Sequence, residues 1–360
     1  MTIEWLAGNR IIGTSTERTS VTGIKGATGG WKEIKRFKTG STVTDLDVTG
    51  LGTHEYYMIL HTLDHSSGGQ DVTMRLFNSA GNIIDGTSDY HSVRSENGGN
   101  DVASGGRNNM ILADINTNTR SFGVDYISNI ASNEKIQSGR MVYQEATGAG
   151  NVTERTETYN TCFNTSNMTG VRMDNGGWLS GSEVVVLAWD TSDTHTDNFW
   201  KLLKEVDVTS GSTISTGDFT PKKYLMVQYY LKSSGAVAYD FKFNSSTGSE
   251  YAGRHQNDGK GANSAGTNDY EQINKTEMME NMGYSGGGVH AGTMFIVNEA
   301  NQEKLVLGYI IGAGTAGIGV DTHRSEMAYK WTNATDQIKN ITMINSVAAS
   351  KYKIQVWGSD

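Results

Sequence analysis

Glu183-Val-Val-Val-Leu-Ala-Trp189 closes a segment that opens on the pair Trp31-Lys32, and Lys351-Tyr-Lys-Ile-Gln-Val-Trp357 closes a second that opens on Trp200-Lys201. The spans measure 158 and 157 residues from tryptophan to tryptophan. Between these ends the landmarks recur in one order: Tyr57-Met-Ile-Leu60 and Tyr224-Leu-Met-Val227, then Phe77-Asn-Ser79 and Phe243-Asn-Ser245. Loops holding Tyr90, Arg94 and Asn97, and Tyr251, Arg254 and Asn257, come next, followed by Met141-Val142 and Met294-Phe295. A period of this length marks one scaffold laid down twice, so residues kept in both copies serve the scaffold and function lies in what differs. Trp31, Trp189, Trp200 and Trp357 read as equivalent core residues.

The strands follow a period of two. Val237, Tyr239, Phe241 and Phe243 share one face, as do Tyr352, Ile354 and Val356, the pattern of half-buried antiparallel strands. Val72, Met74 and Leu76 do the same in the first copy, but anchoring on Phe-Asn-Ser puts them one residue out of phase with the second. Glu183–Trp189 is almost continuously apolar, as a strand covered on both faces would be. The best helical stretch is 270–282, with Asp269 as N-cap and Gly283 as stop. The expected architecture is all-β: two tandem jelly-roll-like sandwiches, residues 31–193 and 194–360, behind an extended N-terminal arm, residues 1–30. The polar linker 190–198 predicts that residues 194–360 fold alone.

Glycine at 44 residues and a single proline exclude collagen-like and Pro-rich disordered chains, leaving a many-stranded fold rich in turns. The net charge is −9, shared as +1 over residues 1–30, −8 over 31–193 and −2 over 194–360. An acidic chain with no basic cluster disfavours nucleic acid as a partner. Cys162 stands alone, so no internal disulfide and no cysteine metal site is expected. No apolar run approaches a membrane span, and no signal peptide precedes the chain, which points to synthesis in a cytoplasm.

Catalytic motifs dissolve on context. Gly312-Ala-Gly314-Thr-Ala-Gly317 follows an apolar strand but precedes no helical pattern, so it reads as a hairpin loop and not a dinucleotide site. His61 and His65 around Asp64 read as a solvated hairpin end. The pairs Asp45/Asp47 and Glu277/Glu280 read as solvated carboxylates. Neither a metal, a cofactor nor an enzymatic activity is expected.

Candidate contact residues are of three kinds. Trp5, Leu6, Ile11 and Ile12, with Arg10 between them, would make the arm an anchor. Trp178, after the turn Asp174-Asn-Gly-Gly177, and Trp331 have no counterpart in the other copy; Trp178 could display its ring to a sugar. Arg94 with Asn97 and Arg254 with Asn257 keep one three-residue spacing, suited either to tying down a loop or to holding a ligand or subunit.

Ala7-Gly-Asn-Arg-Ile-Ile-Gly-Thr-Ser-Thr-Glu-Arg18, Trp189-Asp-Thr-Ser-Asp-Thr-His-Thr-Asp-Asn-Phe-Trp200, Lys222-Lys-Tyr-Leu-Met-Val-Gln-Tyr-Tyr230 and Val356-Trp-Gly-Ser-Asp360 resemble a duplicated family of virion structural proteins of marine tailed phages and related viruses. The resemblance spans nearly the whole chain. It implies a non-enzymatic component of the virion surface, such as a head decoration, a tail fibre or a tail appendage. Implied partners are capsid or tail proteins, further copies of the chain and host glycans. A tandem carbohydrate-binding module without a virion is the alternative.

Overall fold

The computed structural model describes residues 30–65, 70–115, 120–174, 177–190, 197–233, 239–262, 266–280, 288–313 and 322–360. Trp5, Leu6, Arg10, Ile11 and Ile12 lie outside the described residues. The first half holds β1 (Lys32–Lys38), β2 (Leu46–Thr49), β3 (Tyr56–Asp64), β4 (Gln70–Phe77), β5 (Tyr90–Glu96), β6 (Val102–Arg107), β7 (Met110–Ile115), β8 (Arg120–Ser128), β9 (Lys135–Gln144), β10 (Thr153–Cys162), β11 (Gly170–Asp174) and β12 (Glu183–Trp189). Eight of these form an antiparallel sheet in the order β1-β12-β3-β8-β9-β10-β5-β6, and four form a second in the order β2-β11-β4-β7. Since β1 pairs β12, β2 pairs β11, β3 pairs β8 and β4 pairs β7, one antiparallel ribbon rolls alternately into two facing sheets. That is the jelly-roll course, widened on one side by β5, β6, β9 and β10.

The second half holds β13 (Lys201–Val208), β14 (Gly211–Ser215), β15 (Tyr224–Ser233), β16 (Tyr239–Phe243), β17 (Tyr251–Ala262), β18 (Gly266–Lys275), β19 (Met278–Glu280), β20 (Val289–Val297), β21 (Lys304–Ala313), β22 (Thr322–Trp331) and β23 (Ile341–Ser359). β23 pairs β14 and β16 near its start and β13 and β15 near its end, so one long strand does the work of β11 and β12 and joins both layers. With that substitution the strand order repeats: β13-β23-β15-β20-β21-β22-β17-β18 over β14-β23-β16-β19. The helix expected at 270–282 is absent among the described residues. β18 pairs β17 there, with Tyr270 opposite His255, because a cross-strand partner overrides a weak local helical preference.

Hydrogen bonds fix which residues correspond. The Leu76 N–H donates to the Tyr90 hydroxyl (3.0 Å), and the Phe243 N–H to the Tyr251 hydroxyl (2.7 Å). Leu76 therefore stands where Phe243 does, and the Phe-Asn-Ser anchor is one residue off. Asn129 accepts from Met168 N–H as Asn298 does from Ile338 N–H, and the buried ammonium groups of Lys135 and Lys304 each donate to loop carbonyls. β1 and β13 carry a bulge at the same place, which sets Leu187 and not Trp189 opposite Trp357 in the comparison.

The halves are not separated by the linker. Their large sheets lie back to back, and Met58, Leu60, Phe122, Val185 and Leu187 of one pack with Trp200, Tyr224, Phe295, Leu305 and Leu307 of the other. This third core makes four layers and explains why β12 is apolar on both faces. It counts against the independent folding expected for residues 194–360, since that fragment alone would expose the second wall of this core.

Candidate functional site

Along β8, β9 and β12, alternate residues point away from the jelly-roll interior toward the second half. On this outward face one end of each strand is covered and the other is open. The open end carries Tyr56, Tyr126, Ile136 and Trp189, with Trp31 beside them, around a cleft of about 280 Å³. Tyr56 stacks on Trp189 at 5.6 Å between ring centroids and 30° between planes. Trp31 meets Trp189 edge-on at 6.4 Å and Tyr126 at 5.9 Å. Aromatic faces thus meet at several angles around one concavity. Trp31 is held by its carbonyl, which accepts from Phe199 N–H at 2.6 Å. Beyond Trp189, Asp190 accepts from Glu55 N–H and pairs with the His54 ring, both at 2.6 Å, which closes that end of β12.

Correspondence between the halves makes this exposure informative. Trp31, Tyr56, Tyr126 and Ile136 match Trp200, Tyr224, Phe295 and Leu305. The second set is 7%, 0%, 5% and 0% exposed because it forms a wall of the core between halves, whereas Tyr126 is 40% and Ile136 57% exposed. Trp189 has Ser359 as its counterpart, so the first half holds a ring where the scaffold needs none. Equivalent residues meet where the closed and open sides join: the Arg140 guanidinium lies 4.8 Å over the Tyr309 ring. Glu157 and Glu326 also correspond, and each pushes against the other's charge; burial first and Glu326 second raise the Glu157 carboxyl above its ordinary range. These contacts between equivalent residues mark where the closed side of the joint gives way to the open one. A gap of about 200 Å³ lined by Tyr126, Ser138, Arg140, Phe295, Leu307 and Tyr309 adjoins the cleft, sharing Tyr126 and Ser138 with it.

The residues singled out in the sequence do not assemble into one site. Trp178 and Trp331 are fully buried, which corrects both as contact residues and the display of the Trp178 ring to a sugar: Trp178 Nε1 donates to Met173 O and its ring meets His65 edge-on, while Trp331 Nε1 donates to Glu250. Arg94 and Arg254 face opposite ways. Tyr90 to Arg94 is four residues and Tyr251 to Arg254 is three, and with a period of two that single residue turns the side chain to the other face. Arg94 reaches Asp71, Asp114 and Glu96 within the first half. Arg254 crosses to Glu154 of the other half at 2.7 Å and also binds Glu271. Asn97, at φ 49°, bonds Glu154 and accepts from Arg155 N–H, so it too serves the joint between halves. The Asn257 side chain lies outside the described residues.

His61 and His65 are buried, not a solvated hairpin end. His61 Nε2 meets Asp125 Oδ2 at 2.9 Å, Gln137 donates to the other oxygen at 2.6 Å, and Asn160 donates to Gln137 at 2.6 Å. β21 and β22 pair from Ala313 and Thr322 onward, so the glycine string joins two antiparallel strands, as read; Gly314 and Gly317 themselves lie outside the described residues. Sequence reasoning missed the cleft because it assigned Trp31 and Trp189 to the core. The available signal was the alternation Val185, Leu187, Trp189, which places Trp189 outward.

No protein-family model matches the chain, and no curated protein matches it. Among solved structures, similarity is found to Neisserial surface protein A, with 7% identity, 81% of this chain and 98% of that one covered, and a TM-score of 0.13. The attachment invasion locus protein Ail of Yersinia pestis gives 8%, 78%, 98% and 0.14, and domains LG4-5 of the mouse laminin alpha1 chain 9%, 88%, 83% and 0.17. At such scores none of them bears on the fold or the function of this chain.

Proposed function

We propose that this chain is a non-enzymatic structural protein of a virion surface, a head decoration, fibre or tail appendage, that docks on capsid or tail proteins through residues 1–30 and contacts host glycans. The virion setting rests on the sequence resemblance. The contact role is carried by one observation: the surface that the second half buries between sheets stays open in the first half and is lined with rings. An exposed concave aromatic surface on a rigid four-layer scaffold suits recognition. The cleft lining supports binding over hydrolysis, as among the described residues it offers rings, serines and isoleucines but no pair of carboxylates.

Purified particles probed with an antibody to this chain test the proposal. The expected result is a fixed number of copies per particle and surface labelling, with truncation of residues 1–25 abolishing incorporation. Absence of the chain from particles would sink the virion role and leave the second reading, a tandem carbohydrate-binding module, which the same aromatic cleft favours.

A further inference from the structure

We propose that the open cleft of the first half is a binding site for a neutral saccharide, with Trp189, Tyr56, Trp31 and Tyr126 as its stacking surfaces. This deepens the glycan contact proposed above and rests on that reading. Sugar rings present C–H faces that pack on aromatic faces while their edges keep hydroxyls free for hydrogen bonds, so a site for them needs rings at defined angles with small polar groups alongside. The cleft has both: the stacked Tyr56–Trp189 pair, the inclined Trp31 and Tyr126 rings, and Ser128 and Ser138 in the lining. Its volume of about 280 Å³ lies at the low end for small-molecule sites, suited to a short stretch of an oligosaccharide rather than to a protein loop.

Charge selects the class. Among the described residues the lining contains no Asp, Glu, Lys, Arg or His, in a chain of net charge −9 whose first half is the more acidic. A sialylated or sulfated glycan would find acidic surroundings and no cation in the cleft. The Arg140 guanidinium, in the adjoining gap, already covers Tyr309 and faces Glu157 at 3.5 Å. Trp189 supplies the specific signal. Its scaffold counterpart is Ser359, so the sheet does not require an aromatic there, and a 37% exposed tryptophan stacked on Tyr56 presents a broad apolar face to the cleft.

The test titrates the full chain with cellohexaose, laminarihexaose and mannohexaose as neutral probes, and with sialyllactose and a heparin hexasaccharide as acidic ones, following tryptophan fluorescence and heat of binding. At least one neutral probe should saturate. Trp189→Ala should weaken it about tenfold or more, Trp189→Phe less, and Tyr126→Ala measurably, whereas Leu202→Ala, exposed on the second half, should leave it unchanged. Unaltered thermal midpoints in the Trp189 variants would show that the loss is local. No saturable binding of any neutral probe by the folded chain would overturn the proposal, as would binding unaffected by Trp189→Ala and Tyr126→Ala, or binding of the acidic probes alone. Dimers in sedimentation that Trp189→Ala dissociates would overturn it as well, by giving the cleft to a second copy. Saccharide binding is read on the purified chain and incorporation on particles, so either can fail without the other.

Discussion

The two halves share a strand order and treat the same surface in opposite ways. In the second half Trp200, Tyr224, Phe295 and Leu305 are sealed against the neighbouring sheet; in the first, Tyr126 and Ile136 are exposed and Trp31 and Tyr56 half-buried around an open cleft, joined by the extra ring of Trp189. The interiors differ as well. His61, Asp125, Gln137 and Asn160 form a buried polar chain in the first half, where the second has Tyr229, Met294, Val306 and Tyr329 in its apolar core. One topology thus tolerates two chemistries inside and two fates outside. The scaffold is set by the strand course and the few shared ties such as Tyr90 and Tyr251, while the remaining positions are free to specialise.

The largest expected effect comes from separating the halves. Residues 194–360 expressed alone should aggregate or unfold cooperatively at much lower denaturant than the full chain, because Trp200, Tyr224, Phe295 and Leu307 lose their cover, and co-expression with residues 1–193 should restore solubility. A soluble, fully stable fragment, measured by urea unfolding, would show that the third core contributes little.

Next is the charged joint beside that core. Arg155 donates to Glu326 O at 3.0 Å and to Gln256 Oε1 at 2.6 Å, and faces the Glu326 carboxylate at 3.5 Å, all across the halves. Arg155→Ala leaves Glu326 and Glu157 close together with one cation fewer and should cost about 3–5 kcal/mol. A loss below about 1 kcal/mol in denaturant melts would mean the joint is well hydrated.

A pH effect should arise from both halves alike. Burial pushes His65 down to about 4 in the first half and His255 down to about 4 in the second. Between the unfolded value near 6.5 and about 4 the unfolded chain binds protons that the folded chain refuses, so stability falls as pH drops through that window, by roughly 3 kcal/mol at most for each histidine. Asp174, raised to about 6 by burial, acts oppositely over part of the range. His65→Gln with His255→Gln should therefore lose less stability than the parent between pH 6.5 and pH 4, as read by urea midpoints at the two values. Equal losses would place the acid sensitivity elsewhere.

The smallest effect sharpens the correspondence itself. Tyr90→Phe and Tyr251→Phe each remove the hydroxyl that accepts a strand N–H, from Leu76 and Phe243, and should cost about 1 kcal/mol apiece. Losses that differ severalfold in chemical unfolding would mean that the two ties, though drawn alike, are not equivalent.

The all-β class, the jelly-roll course and the near-equal halves were legible in the sequence, because alternation with a period of two and a repeat of about 160 residues are written in local residue order. Glu183–Trp189 even announced cover on both faces. What covers it was not legible: the third core joins residues more than a hundred positions apart, and no local pattern encodes which outward face will meet which. For the same reason Trp31 and Trp189 passed for core residues, and Trp178 for a candidate ligand contact. Arg94 and Arg254 looked alike in spacing yet face opposite ways, since one residue of difference in a pleated strand turns a side chain over. The sequence by itself determined the alternation, the repeat and the strand ends, all properties of neighbours along the chain. Only the tertiary structure decided which aromatic surface is sealed and which stays open, because that depends on how two twisted sheets meet over part of their faces and part over the rest.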